Sequence, residues 1–512
     1  MSGADAIVIG AGINGLTAAT VLVRAGRSVC VLEAAAQVGG MANPRIAHFL
    51  YNLSPLVRAD LGLGRRDWPF ATHPLPSVAL DPGGRHVVLR GDEARLAGGG
   101  TPPEANAWRD MHARLTRYGA VLRQLAEAAP PGLEGGLTSA AGLKQMLRLG
   151  WFGIAMKRLG RRDMREFMRV LLSNAYDMIL DEMPDGPLAG LLAADAVRGG
   201  AVGPRQPGTV LSLIYRMGHG GAVSLPAGGM ATVTGAFERA ARDAGCRIET
   251  GAQVTQIVIE GDAVRGVETA DGRRFDAPLV LGSGGAAATC ALAGPAHFDI
   301  EAQRRLRNIR ARGTAAKLNL TLDALPEISG LPADLMGARM VLAPRADYVE
   351  RAMNAAKYGE ISDAPVIEMV IPSLTDATLA RNGGHVLSAI VQCAPHDLSG
   401  GWNDAARDRL RDRALAALAE VAPGLPDLVT EAEVITPADI EAETGAPGGH
   451  WHHGELSLDQ ILTLRPASGM GRYAIGPNGL FLCGAGAHPG GDVMGLAGRN
   501  AARAALGAEG GR

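Results

Sequence analysis

Cysteine is scarce: five in 512 residues. Cys30, Cys246, Cys290, Cys393 and Cys483 stand too far apart in sequence for a C-x-x-C redox pair or a metal knuckle. The chain therefore lacks the nearby dithiol that disulfide-reductase chemistry requires, and free, mostly buried thiols in a reducing compartment are expected. Aromatic residues reach only 4%, too few to read an aromatic cage from sequence alone. Neither sign of charge dominates. With 50 basic and 52 acidic residues and a net charge of −2, nothing favours nucleic acid as a partner. No apolar run approaches the roughly 18 residues of a membrane-spanning helix. The N-terminus has no basic stretch followed by a long apolar one, so no secretory signal is expected. The length implies two or three domains.

What is present is concentrated first in Asp5–Gly40. An apolar run, Ala6–Ile9, ends at Gly10, and Gly10, Gly12 and Gly15 make G-x-G-x-x-G. A second apolar run, Ser28–Leu32, closes on Glu33. This is the order strand, glycine turn, helix, strand, acid of a βαβ dinucleotide site. Gly10 permits the turn, Gly12 admits a pyrophosphate close to the backbone, and Gly15 with Ala18 brings the helix against the sheet. The helix start presents free N–H groups to phosphate, and Glu33 is placed to accept ribose hydroxyls. The alternative is a glycine-rich turn that binds nothing.

Gln37-Val38-Gly39-Gly40 follows Glu33 closely. The pair resembles the Gly-Gly extension of FAD enzymes of the glutathione-reductase superfamily, above all their amine-oxidase and phytoene-desaturase branch. That resemblance implies FAD, held non-covalently. Pro226–Met230, a helix over Ala231–Ala244, a strand over Cys246–Thr250 and strands over Ala252–Glu260 and Ala263–Thr269 resemble the second half of the same FAD domain. There the residue matching Val254 contacts adenine through its backbone. Near the end, GLFLCGAGAHPGGDVMGLAGRNAAR, Gly479–Arg503, repeats the opening logic, with a short strand, a glycine turn and a helix expected from Val493. Its N-terminal dipole end would stabilise negative charge on a reduced flavin. Together with HWHHGELSLDQILTLR, His450–Arg465, these motifs resemble the phytoene-dehydrogenase-related FAD oxidoreductases.

The fold class so implied is α/β. A Rossmann-like FAD-binding domain of the glutathione-reductase/amine-oxidase type would be formed by 1–75, 226–299 and 451–512. A discontinuous α+β substrate domain would be formed by 76–225 and 300–450, with a helical subregion at 101–200. The cofactor-binding residues implied are Gly10, Ala11, Gly12, Ile13, Asn14, Gly15, Glu33, Ala34, Gly39, Gly40, Met41, Val254, Gly284, Gly484, Gly486, Gly491, Asp492, Val493 and Met494. Asp492 stands where relatives often have glycine. It is expected to cap the helix at Val493 near FAD, or to bond the ribityl chain.

Such enzymes pass a hydride from a C–H or C–N bond to flavin N5, and the protein supplies position and electrostatics. His488, in the glycine turn, is a candidate to move protons; the alternative is a turn residue bonded to backbone. Lys317, on a predicted strand, matches a lysine that holds a water near N5 in amine-oxidase relatives; the alternative is a solvated or salt-bridged lysine. His450 and His452 are expected on the substrate-cavity wall. Their spacing with His453, without a carboxylate or cysteine set, fits no metal site. Leu143–Arg162 is apolar on one side and basic on the other. It reads as a helix packed on the core, or as a peripheral membrane contact. The leading expectation is a cytoplasmic FAD dehydrogenase, desaturase or oxidase acting on a largely apolar small molecule. The electron acceptor (oxygen, a quinone or another carrier) and the oligomeric state are open. An amine or amino-acid oxidase, and a non-catalytic binding protein on the same fold, are the rivals.

Overall fold

The computed structural model describes residues 3–64, 70–130, 150, 153–380, 383–492 and 494–509. Ala6–Ile9 lies at the centre of a five-stranded sheet. The strand order is Leu480–Leu482, Val280–Gly282, Ala6–Ile9, Val29–Leu32, Arg247–Glu249. Every pairing is parallel, which requires long crossovers. The helix Ile13–Arg24 supplies the first and Gly229–Ala244 precedes the last strand. Strands covered on both faces need continuous apolar runs, and Val29–Leu32 (VCVL) is buried at all four positions. A three-stranded antiparallel sheet of Val254–Glu260, Ala263–Thr269 and Arg274–Asp276 follows. It turns at Gly261-Asp262 and at Asp271-Gly272, where the sequence puts its turn residues.

The second large sheet has eight strands and is mixed. Its order is Val429–Ile435, Ala315–Leu322, His385–Gln392, Ile367–Val370, Arg339–Leu342, Ser77–Leu80, Val87–Arg90, Glu93–Leu96. Only Arg339–Leu342 with Ser77–Leu80 is parallel. Alternation assigns its two faces. Val78 and Leu80 join the cluster beneath the helix Asp404–Ala419. Ala79 joins the cluster with the helices Ala105–Ala126, Pro187–Val197 and Val210–Met217.

Three expectations differ from the structure. The stretch through Gly84, which reads as Pro-rich loop, contains the strand Ser77–Leu80. Its parallel partner lies some 260 residues on, so nothing local signals it. The run Met164–Ile179, which reads as one helical segment, falls in two helices, Gly160–Leu172 and Ala175–Leu180. Asn174 starts the second by accepting the Asp177 N–H, an N-cap in mid-pattern. The last helix begins at Leu496, not Val493. Asp492 and Gly495 both have positive φ, 65° and 70°, and a right-handed helix cannot run through them. Of the 143–162 helix, residues 143–149, 151 and 152 lie outside the described residues. No helix among the described residues is long and apolar enough to cross a membrane.

Candidate functional site

One cavity of about 960 Å³ runs between the two large sheets. At one end its wall is the opening motif. The chain leaves Ile9 at Gly10, with φ 94°. A Cβ on Gly10 would overlap the Ser283 hydroxyl, and a Cβ on Gly15 would overlap the Gly10 carbonyl oxygen. Both positions are therefore closed to side chains, whereas a Cβ on Gly12 meets nothing nearer than the Gly39 carbonyl at 4.0 Å. Gly12 is bare because that side is open, and it caps the Ile13–Arg24 helix without a side-chain acceptor. The first turn of a helix carries N–H groups without intrahelical partners. Ile13, Asn14 and Gly15 bring theirs to the cavity. Gly39 donates its N–H to the Ala11 carbonyl at 3.0 Å and pairs with Gly12, laying the Gly-Gly turn beside the first loop. The Glu33 carboxylate accepts the Ala11 and Ala35 N–H groups at 2.6 and 2.9 Å while lining the cavity.

At the other end the wall is polar side chains. Lys317, on the strand Ala315–Leu322, is 1% exposed. Its Nζ lies 2.6 Å from His48 Nδ1. Burial above all, and then Arg198, pull its ammonium down to about 7 against the pull of Glu368. Burial likewise holds His48 down, at about 3, so its ring is neutral and its Nδ1 accepts a hydrogen bond from the lysine. His48 Nε2 sits 3.7 Å from the Glu368 carboxylate. Glu368 also receives Tyr51 Oη at 3.1 Å, Arg198 Nη2 at 2.9 Å and Arg339 Nε at 2.8 Å. Burial opposes its charge, but the two guanidinium groups outweigh burial and hold the carboxyl well below its usual range. The Arg198 guanidinium lies over the rings of Tyr51 and Trp451, at 4.6 and 4.7 Å. Lys317, His48, Tyr51, Arg198 and Trp451 all line the cavity.

Most residues named from the sequence line this cavity: Gly10, Gly12, Ile13, Asn14, Gly15, Glu33, Ala34, Gly39, Gly40, Met41, Val254, Gly284, Gly484, Asp492 and Lys317. Ala11, Gly486, Gly491 and Met494 do not. Ala11 is wholly buried and holds Glu33. Gly491 donates its N–H to His452 Nδ1, and its carbonyl accepts from Tyr215 Oη. Val493 lies outside the described residues. His488 is directed away from the cavity. Its Nε2 meets the Leu125 carbonyl at 2.9 Å at the end of the Ala105–Ala126 helix. It tethers two segments, and a proton shuttle at this cavity is not its geometry. His450 and His452 wall a smaller adjoining pocket, while their neighbours Trp451 and His453 reach the main one. The expected cap role of Asp492 fails with the displaced helix start; its carboxylate accepts Asn52 Nδ2 at 2.8 Å. Arg465, which closes the histidine motif, is buried and donates to the carbonyls of His452, Glu455, Gln460 and Ala485. It binds that loop to the C-terminal glycine turn.

Sequence reasoning missed His48, Tyr51, Arg198, Trp451 and Glu368. Only Trp451 lay inside a motif that had been singled out.

Residues 8–62 match the NAD(P)-binding Rossmann-like domain family. The pyridine nucleotide-disulfide oxidoreductase domain-containing protein 2 of Rattus norvegicus is 30% identical over 550 residues, covering 97% of this chain and 92% of that one. The chain belongs to that family. It is thereby an oxidoreductase by kinship, with a mixed α/β fold. The phytoene desaturase (lycopene-forming) of Pseudescherichia vulneris is 26% identical over 531 residues, covering 98% of each chain. The cyclohexylamine oxidase of Brevibacterium oxydans IH-35A shares the fold, with a TM-score of 0.56 at 12% identity and full coverage of both chains. The "disulfide" in the family name has no counterpart on the cavity wall: all five cysteines are buried, and none lines it. Among the described residues no cluster of histidine, cysteine and carboxylate side chains is arranged to hold a metal.

Proposed function

We propose that the chain is an FAD-dependent oxidoreductase, a dehydrogenase, desaturase or oxidase, acting on a small organic substrate with a largely apolar body. The observation that carries this reading is the single cavity joining the opening glycine turn to the buried Lys317–His48 pair. A site for a nucleotide alone has no use for the second half. The residues present fit FAD. First-turn N–H groups of Ile13 and Asn14 suit the pyrophosphate, Glu33 suits ribose hydroxyls, and Val254 suits the adenine side. Gly484, Ala485 and Asp492 suit the flavin half.

FAD, when bound, would supply the hydride acceptor. The chain's own residues would do the rest. Phe49 and Ile390, the latter paired across the sheet with Lys317, give the apolar wall. They orient the substrate carbon and exclude water. Lys317 Nζ would hold or release a proton, since its affinity lies near neutral pH, where such a group works best.

An amine oxidase is the weaker reading on one specific ground. Tyr51 and Trp451, the rings that would receive a substrate ammonium, already face the Arg198 cation. The test is anaerobic bleaching of bound flavin by apolar, amine and NAD(P)H donors, followed by assay for peroxide. Bleaching by an apolar donor and not by amines is expected. Bleaching by amines alone would overturn the choice.

A further inference from the structure

We infer that the substrate carries a carboxylate and that Arg198 is the residue that binds it. The inference rests on reading the far end of the cavity as the substrate chamber. Arg198 follows the buried helix Pro187–Val197 and lines both the main cavity and the adjoining pocket. Its position is fixed on three sides, by the rings of Tyr51 and Trp451 and by Glu368, which accepts from Nη2 at 2.9 Å. A guanidinium has five N–H donors in a rigid fork. Of these nitrogens, Nη2 donates to Glu368, and Nε is enclosed by protein without a partner. The side chain keeps 13% of its surface exposed, where it borders the cavity. A cation held this firmly, with donors to spare, is preorganised for an anion.

The charges around it point the same way. Arg198, Arg339, Arg216 and Lys317 are four cationic side chains. Glu368, Asp195 and Asp492 are three carboxylates, and the arginines share the first two. Glu368 is divided between Arg198 and Arg339, and Asp195 between Arg339 and Arg216. Asp492 is taken up by Asn52. His48 adds no charge when neutral. With Lys317 protonated, one positive charge is left over in a buried site, where an unmatched charge is costly; with Lys317 neutral, the three arginines and three carboxylates balance. One carboxylate cancels the charge of the protonated form; a phosphate dianion leaves this set of groups negative in either form. A substrate with an apolar body and a carboxylate end fits the whole chamber, with Ile390 and Phe49 for the body and Arg198 for the end.

The test is calorimetric titration of the protein as purified with octanoate, octanol, octylamine and octyl phosphate, repeated on Arg198→Met and Arg198→Lys. Methionine keeps a stem between the two rings, and lysine keeps the charge without the fork. Octanoate is expected to bind at least about tenfold more tightly than octanol. R198M should remove that margin, and R198K should keep part of it. Equal binding of octanoate and octanol, no binding of either, or tighter binding of octylamine or octyl phosphate would overturn the proposal. So would an octanoate margin that survives in folded R198M. Should R198M not fold, the ligand series on the native protein and R198K decide. Heat does not depend on flavin. A colourless protein that still prefers octanoate would sink the FAD reading and spare this one; a yellow protein without the preference would do the reverse.

Discussion

At the dinucleotide end of the cavity the working groups are main-chain N–H groups, and the side chains there are mostly the hydrogens of Gly10, Gly12, Gly15, Gly39 and Gly40. At the far end they are charged and polar side chains. His48 and Tyr51 follow the first motif, Arg198 ends a helix of the first excursion, Lys317 and Glu368 sit on separate strands, and Trp451 lies in the histidine loop. The first end is specified by what must be small. The second is specified by which charges balance. Substitutions should therefore fail for different reasons at the two ends, sterically at one and electrostatically at the other.

The largest expected effect is at the far end. Glu368→Leu removes the carboxylate that Arg198 and Arg339 share and leaves buried guanidinium charge unmatched. A loss of about 3–5 kcal/mol is expected, read by urea unfolding. A loss under about 1 kcal/mol would mean the network does not hold this end together. At the dinucleotide end, Gly15→Ala forces the helix off the Gly10 carbonyl. About 1–3 kcal/mol is expected, together with loss of bound dinucleotide by absorbance. Retention of dinucleotide in G15A would break the steric half of the comparison.

The third effect concerns pH. The Lys317 value in the folded chain, about 7, lies below its ordinary 10.5. Between these values the unfolded chain binds the extra proton, so the native protein gains stability as pH rises. Below pH 7 it carries the full cost of the buried ammonium. Measured against Lys317→Met, which lacks the titration, native stability should climb by up to about 1.4 kcal/mol per pH unit across that window. A flat difference would mean Lys317 keeps its ordinary proton affinity.

The same contrast decides what could be read from sequence. Gly10, Gly12, Gly15 and Glu33 fall within 24 residues of chain, each at a spacing set by one turn of backbone, and the motif states its geometry locally. The Gly39–Gly40 turn and the Gly484 turn carry their own glycines and were legible for that reason. The Glu368 network spans segments hundreds of residues apart. No local period marks Arg198 as facing a cavity while its helical neighbours face the core. Lys317 drew notice through kinship, whereas its partner His48 follows an unremarkable loop. His488 misled because it sits in a glycine turn that does border the cavity, while its own ring turns to the Leu125 carbonyl. The strand Ser77–Leu80 escaped notice for the reason Arg198 did: its partner is distant.

One cavity is expected to hold one FAD. The direct measurement is the flavin content of the purified protein, read from its visible absorbance and from the nucleotide released on denaturation. The account predicts a yellow protein that releases FAD, in equimolar amount, without proteolysis. A colourless protein that fails to take up FAD on reconstitution, or one that releases NAD(P) instead, would contradict it.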